Sequence, residues 1–107
     1  LNYYLFNGNV DLRKGIFRLC ESIREEMSLD PSDASNVYMF MSRNRKVVKI
    51  LHYERGFYVL YEKRPVMGRF KKPVFDEVSK CYRIQWSDMA YLTESIVVDK
   101  MYVSPKD

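Results

Sequence analysis

Apolar residues recur along the chain with two different periods, and the changes of period mark its elements. Asn2 to Phe6 is a short Tyr-rich run that predicts a strand, and Asn7-Gly8-Asn9 predicts the turn after it. The period then becomes helical. Leu12, Ile16, Leu19, Cys20, Ile23 and Met27 recur mostly three and four residues apart, which predicts an amphipathic helix over Leu12–Ser28 with that stripe buried. Asp11 reads as its N-cap, and Asp30-Pro31 ends it. Lys14, Arg18, Glu21 and Glu25 fall largely on the other side, toward solvent. Ser32 to Asn36 reads as a polar loop.

Three strands follow in close succession. Val37–Ser42 is strongly apolar and should be covered at least partly on both faces. Val47–Tyr53 and Phe57–Glu62 complete a meander, joined through a basic turn at Arg43–Lys46 and a tight connection at Glu54-Arg55-Gly56. Gly56 can adopt positive φ there. With a three-residue connection, Tyr53 opposes Phe57, Leu51 opposes Val59 and Lys49 opposes Tyr61. One face then carries Lys49, Leu51, Tyr53, Phe57, Val59, Tyr61 and Lys63. The other carries Val48, Ile50, His52, Tyr58 and Leu60, and is expected to face the core. Both faces are rich in apolar residues, and a slip of one residue would exchange them.

Pro65 breaks the third strand, and Gly68 to Pro73 is basic and turn-rich. Tyr82–Trp86 predicts another short strand. Ser87 then caps a short helix of about Asp88–Ser95, and Tyr102 and Val103 in the tail add a strand or dock. The expected fold class is α+β: an antiparallel β-meander with one long amphipathic helix packed on it and a short C-terminal helix. A chain of 107 residues leaves no room for a second core, so 1–107 is read as a single domain.

Charge changes this picture most. Arg43 to Lys72 holds ten basic residues against two acids, while the whole chain is only +4, so the remainder is net negative. Aromatic residues are interleaved with these cations, a combination that reads either as the footprint of a nucleic-acid surface or as a solvated basic hairpin. Two cysteines, Cys20 and Cys81, are too few and too far apart for a zinc motif. Cys20 lies in the apolar helix stripe and is expected to be a buried, reduced thiol. No apolar run approaches a membrane span and no signal peptide is visible, so the expected compartment is the cytoplasm.

Candidate chemistry is sparse. In Asp11-Leu12-Arg13-Lys14-Gly15, two cations sit in what reads as a first helical turn, against the helix dipole, and a Gly sits inside the helix. A phosphate at that helix start would account for both, while a packed neighbour beside Gly15 with solvated cations is the plainer account. His52, the single histidine, lies mid-strand with no catalytic partner at a recognisable spacing. Neither a phosphate-binding loop nor a nucleophile elbow occurs, and Asp76, Glu77 and Asp88 form no metal-dependent nuclease pattern. The chain is therefore expected not to be an enzyme, and no metal or cofactor is implied. Tyr53, Phe57 and Tyr61 could stack unpaired bases or could simply be core. The candidate phosphate contacts are Arg13, Lys14, Arg43, Arg45, Lys46, Lys49, Arg55, Lys63, Arg64 and Arg69.

Four stretches resemble a known family. They are Asp11-Leu12-Arg13-Lys14-Gly15; Val48-Lys49-Ile50-Leu51-His52-Tyr53-Glu54-Arg55-Gly56-Phe57; Leu60-Tyr61-Glu62-Lys63-Arg64; and Gly68-Arg69-Phe70. In order and spacing they are similar to the TnpB accessory proteins of the insertion sequence family numbered sixty-six. The likeness extends through Trp86-Ser87-Asp88. Pro65-Val66 stands where Leu-Glu is usual. The resemblance implies a bacterial mobile-element protein that assists transposition while a separate, larger transposase carries the catalytic acids. DNA at the element ends and that transposase are the expected partners, and RNA remains open. Two functions follow as expectations: DNA binding through the basic hairpin surface and a helix N-terminus, or docking of the transposase without DNA contact.

Overall fold

The computed structural model describes residues 1–6, 10–73, 81–84, 87, 90, 96 and 97. Seven strands occur among these residues: β1 (Asn2–Phe6), β2 (Asn36–Met41), β3 (Val48–Glu54), β4 (Phe57–Lys63), β5 (Arg69–Phe70), β6 (Cys81–Ile84) and β7 (Ile96–Val97). Five of them form one sheet in the order β4-β3-β2-β1-β6, and β5 pairs with β7. The expected meander is present as β2, β3 and β4, antiparallel throughout. The sheet as a whole is mixed, because β1 runs parallel to β2 and antiparallel to β6.

The fold is α+β, but its helix is shorter than the apolar stripe suggests. Helix α1 runs over Ile16–Ser22 and continues as a π-wound turn over Ile23–Met27. Ser28 closes it in the left-handed conformation at φ 56, and its N–H bonds to the Ile23 carbonyl. Asp11 does not cap this helix. Its carboxylate accepts the Arg13 N–H at 2.9 Å, and its carbonyl accepts the Lys14 N–H at 3.0 Å, which folds 11–14 into a separate turn. Gly15 takes the N-cap position instead, with extended backbone at φ −78 and ψ −179. Arg13 and Lys14 thus precede the first helical turn, and the expected conflict with the helix dipole does not arise. A Cβ added at Gly15 would meet nothing within 4 Å, so no close packing explains this glycine either.

The register of β3 on β4 differs from expectation by one residue. Glu54 pairs with Phe57, so Arg55-Gly56 alone make the turn. Both have positive φ, 49 and 89, as a tight two-residue hairpin turn requires. Leu51 consequently pairs with Leu60, and Tyr53 with Tyr58. Ile50 and Leu60, expected on one face, lie on opposite faces. The helix side gathers Phe6, Tyr38, Phe40 and Leu51 against Leu19, Cys20, Ile23 and Met27, with Tyr58 and Leu60 at its margin. The opposite side gathers Leu5, Met39, Val48 and Phe70, with Ile50 beside them. Strand β2 is buried on both faces, as expected. Leu19, Cys20, Ile23 and Met27 of the expected stripe are buried, Leu12 and Ile16 only partly so, and Cys20 is inaccessible and unpaired to any sulfur. Burial pushes the Cys20 thiol up from its ordinary pKa. The Asn7–Asn9 turn and the tail after Val98 lie outside the described residues, as does the short helix expected over Asp88–Ser95 apart from Ala90.

Candidate nucleic-acid interface

The cations reach their places through turns. Between β2 and β3 the chain reverses over 43–46. Ser42 Oγ accepts the N–H groups of Lys46 (3.1 Å) and Val47 (3.0 Å), and Asn44 Oδ1 accepts the Lys46 N–H (3.1 Å). Arg45 holds a left-handed backbone at φ 58. That strain is offset by what the residue does for β5: its carbonyl accepts the Phe70 N–H at 2.8 Å and its guanidinium donates to the Phe70 carbonyl at 3.0 Å. Arg45 is therefore a clamp that seats Phe70 on the sheet, and Arg69 is carried to the same place. Arg43 and Lys46 flank it, both exposed.

Register brings further cations to this end. Val48 pairs with Lys63, so the end of β4, with Arg64 after it, lies beside the turn. Lys49 points to the helix side, where its ammonium donates to the Leu12 carbonyl and lies 3.9 Å from Glu62. Its side chain is only 14% exposed, so Lys49 ties the 11–14 turn to the sheet and does not offer itself to an anion. The same tie brings Arg13 and Lys14 to the basic end. Arg13 is engaged with Asp11 at 2.9 Å, and Lys14 donates to Ser22 Oγ at 3.2 Å. Arg64 bonds Glu62 at 2.6 Å. Among the described residues, the side chains of Arg43, Lys46 and Lys63 make no ion pair. Lys71 and Lys72, both exposed, extend the patch directly after β5. They belong to the basic stretch but were outside the set of candidate contacts; their adjacency to β5 is what identifies them.

Arg55 does not join this group. It sits in the β3–β4 turn, at the other end of a seven-residue strand and roughly 20 Å from the 43–46 turn. The aromatic platform is divided as well. Tyr53 packs on the helix side against Tyr58, with ring centroids 5.1 Å apart, whereas Phe57 and Tyr61 lie on the other face.

Around Phe57 an open recess of roughly 710 Å³ is lined by Ala34, His52, Glu54, Arg55, Phe57 and Val59. His52 Nδ1 lies 3.0 Å from Glu54 Oε2 and its Nε2 lies 2.8 Å from the Ala34 carbonyl. Tyr61 donates to the same Glu54 oxygen at 2.8 Å. These two bonds hold the Glu54 carboxyl below its ordinary pKa, with the His52 bond the larger cause. The three polar groups satisfy one another, which is how a sheet surface anchors its turn. Among the described residues no group of three or more His, Cys, Asp or Glu could hold a metal ion.

The opposite end of the molecule is acidic. Asp30 and Asp33 fold the loop before β2 by accepting bonds from Ser32 and Ser35, which lower both carboxyl pKa values. The helix runs from the basic end toward this loop, where Tyr38 donates to the Asp30 carbonyl at 2.8 Å. No helix among the described residues is long and apolar enough to cross a membrane. Among known proteins, the family model described as IS66 Orf2 like protein matches residues 1–102. No curated protein and no solved structure matches the chain.

Proposed function

Because the chain belongs to the IS66 Orf2 like family of insertion-sequence accessory proteins, we propose that it assists transposition by binding DNA through its basic end. The observation that carries this reading is convergence. Cations from four separate segments meet at one end of the sheet: the 11–14 turn, the 43–46 turn, the end of β4, and β5 with the residues after it. Three of them, Arg43, Lys46 and Lys63, make no ion pair among the described residues, so they can meet phosphates without first breaking one. The role is that of a cytoplasmic binding protein, not an enzyme.

The test is duplex-DNA binding measured across a salt series. Log affinity should fall with log salt by about 0.9 per neutralised phosphate. Replacing Arg43 and Lys46 with Ala should flatten that slope by roughly 1–2 units and weaken binding about equally across sequences. Arg55→Ala should leave the slope unchanged, since Arg55 lies at the other end of the sheet. An unchanged slope in the first variant, or an equal loss in the second, would remove the basic end as the phosphate surface. The same series on single-stranded RNA decides between the two nucleic acids.

A second reading, a protein adaptor for the transposase, is favoured by Val66 and Met67. Both are exposed apolar residues in the connection leading to β5, with Met67 62% accessible. An adaptor would bind transposase with weak salt dependence and show no DNA affinity at low salt.

A further inference from the structure

The outer edge of β4 is a seven-residue strand edge with one neighbour, β3, among the described residues. Phe57 to Tyr61 along it contain no charge, Gly or Pro, the usual means of blunting an edge. Phe57 and Tyr61 are 73% and 47% exposed. Such an edge presents a row of backbone donors and acceptors to a further strand.

The side chains of β4 indicate which strand fits. Laid antiparallel against a copy of itself with Leu60 on the two-fold axis, Leu60 meets the partner's Leu60. Val59 meets the partner's Tyr61, Tyr58 meets the partner's Glu62, and Phe57 meets the partner's Lys63. An aromatic then opposes a β-branched residue, a phenol opposes a carboxylate and a ring opposes a cation, with no like charges facing. Moving the axis to Glu62 sets two carboxylates against each other, and moving it to Tyr58 shortens the ladder into the Arg55-Gly56 turn. As in any two-fold antiparallel pairing of these edges, both helices stay on one face. The geometry points to a homodimer in which β4 pairs with β4 of a second copy about a two-fold axis at Leu60, joining two sheets into one.

The dimer stands on β4 alone. Its consequence for DNA rests on the reading above. Lys63 is three residues from the axis and the 43–46 turn lies slightly beyond, so the two basic ends lie on the order of 30–35 Å apart. That is close to one turn of duplex, the spacing at which two-fold dimers engage paired half-sites.

The experiment is the molar mass of the full chain by sedimentation equilibrium over a wide concentration range. The expected mass is that of two chains. Phe57→Lys sets a lysine against the partner's Lys63 twice over and should halve the mass. Phe57 is exposed, so the fold should survive, as far-ultraviolet circular dichroism would verify. Adding Lys63→Glu to that variant should restore the mass of two chains. A wild-type chain that stays single at every concentration overturns the dimer. So does a Phe57→Lys variant, folded by circular dichroism, that pairs as the wild type does. A partner protein or another segment of the chain on this edge would give the first of these results. DNA affinity with a single-chain mass overturns the dimer and leaves the DNA reading. A dimer with no DNA affinity does the reverse.

Discussion

Arg55 shows how much one backbone angle decides. The turn Arg55-Gly56 needs positive φ at both positions, and the usual first residue there is Asn or Asp. Arg55 at φ 49 therefore carries left-handed strain that Asn tolerates better. Arg55→Asn should raise stability by up to about 1 kcal/mol, read as a higher denaturant midpoint at unchanged slope. Asp11 makes a second prediction. Hydrogen bonds from the Arg13 side chain and backbone lower its carboxyl from 3.8 to about 2. A carboxyl whose folded pKa is depressed contributes stability that is present above the unfolded value and lost as pH falls through the folded one. The loss therefore falls between about pH 4 and pH 2, and carboxyl NMR should place the Asp11 midpoint near 2. Arg13→Ala should return that midpoint toward 3.8. The sequence flagged 11–15 as unusual, but not why. Asp11 and Gly15 are both N-cap residue types, and only the folded chain shows that the first opens a turn while the second caps the helix.

At the scale of elements, the three strands of the meander and the buried helix stripe were legible, because each follows from a period that the apolar residues keep. The pairing was not. Strand β3 alternates Val48, Ile50 and His52 with Lys49, Leu51 and Tyr53, and neither set is polar enough to be assigned to solvent. The register then hinged on whether the connection held two residues or three, which turned on φ at Arg55. The prediction that follows is a contrast. Leu51 is fully buried under the helix, so Leu51→Ala should cost roughly 2–5 kcal/mol. Ile50 lies half-buried at the edge of the opposite cluster, and Ile50→Ala should cost distinctly less. Thermal melts of the two variants would show it, and equal losses would contradict the observed facing.

Across the whole molecule, charge is distributed as two poles. Basic groups from distant segments collect where the 43–46 turn, the end of β4 and β5 meet, and Asp30, Asp33 and Glu54 collect at the opposite end. The sequence located the basic stretch but treated it as one surface; placing Arg55 apart from the rest required the strand order and length. A net charge of +4 thus understates the field that an approaching polyanion meets, and the acidic pole disfavours its arrival the other way round. The sheet order has a consequence of another kind, in time. Strands β2, β3 and β4 are neighbours along the chain as well as in the sheet, and can zip together locally as they are made. Strand β1 is made before these three, yet its place is between β2 and β6, and β6 comes from residues 81–84. Pairings that span so much chain are the slow ones to form. A nascent chain that has not yet supplied β6 leaves β1, with Leu5 and Phe6, as a bare edge. What ends as the interior of the sheet begins as an open border.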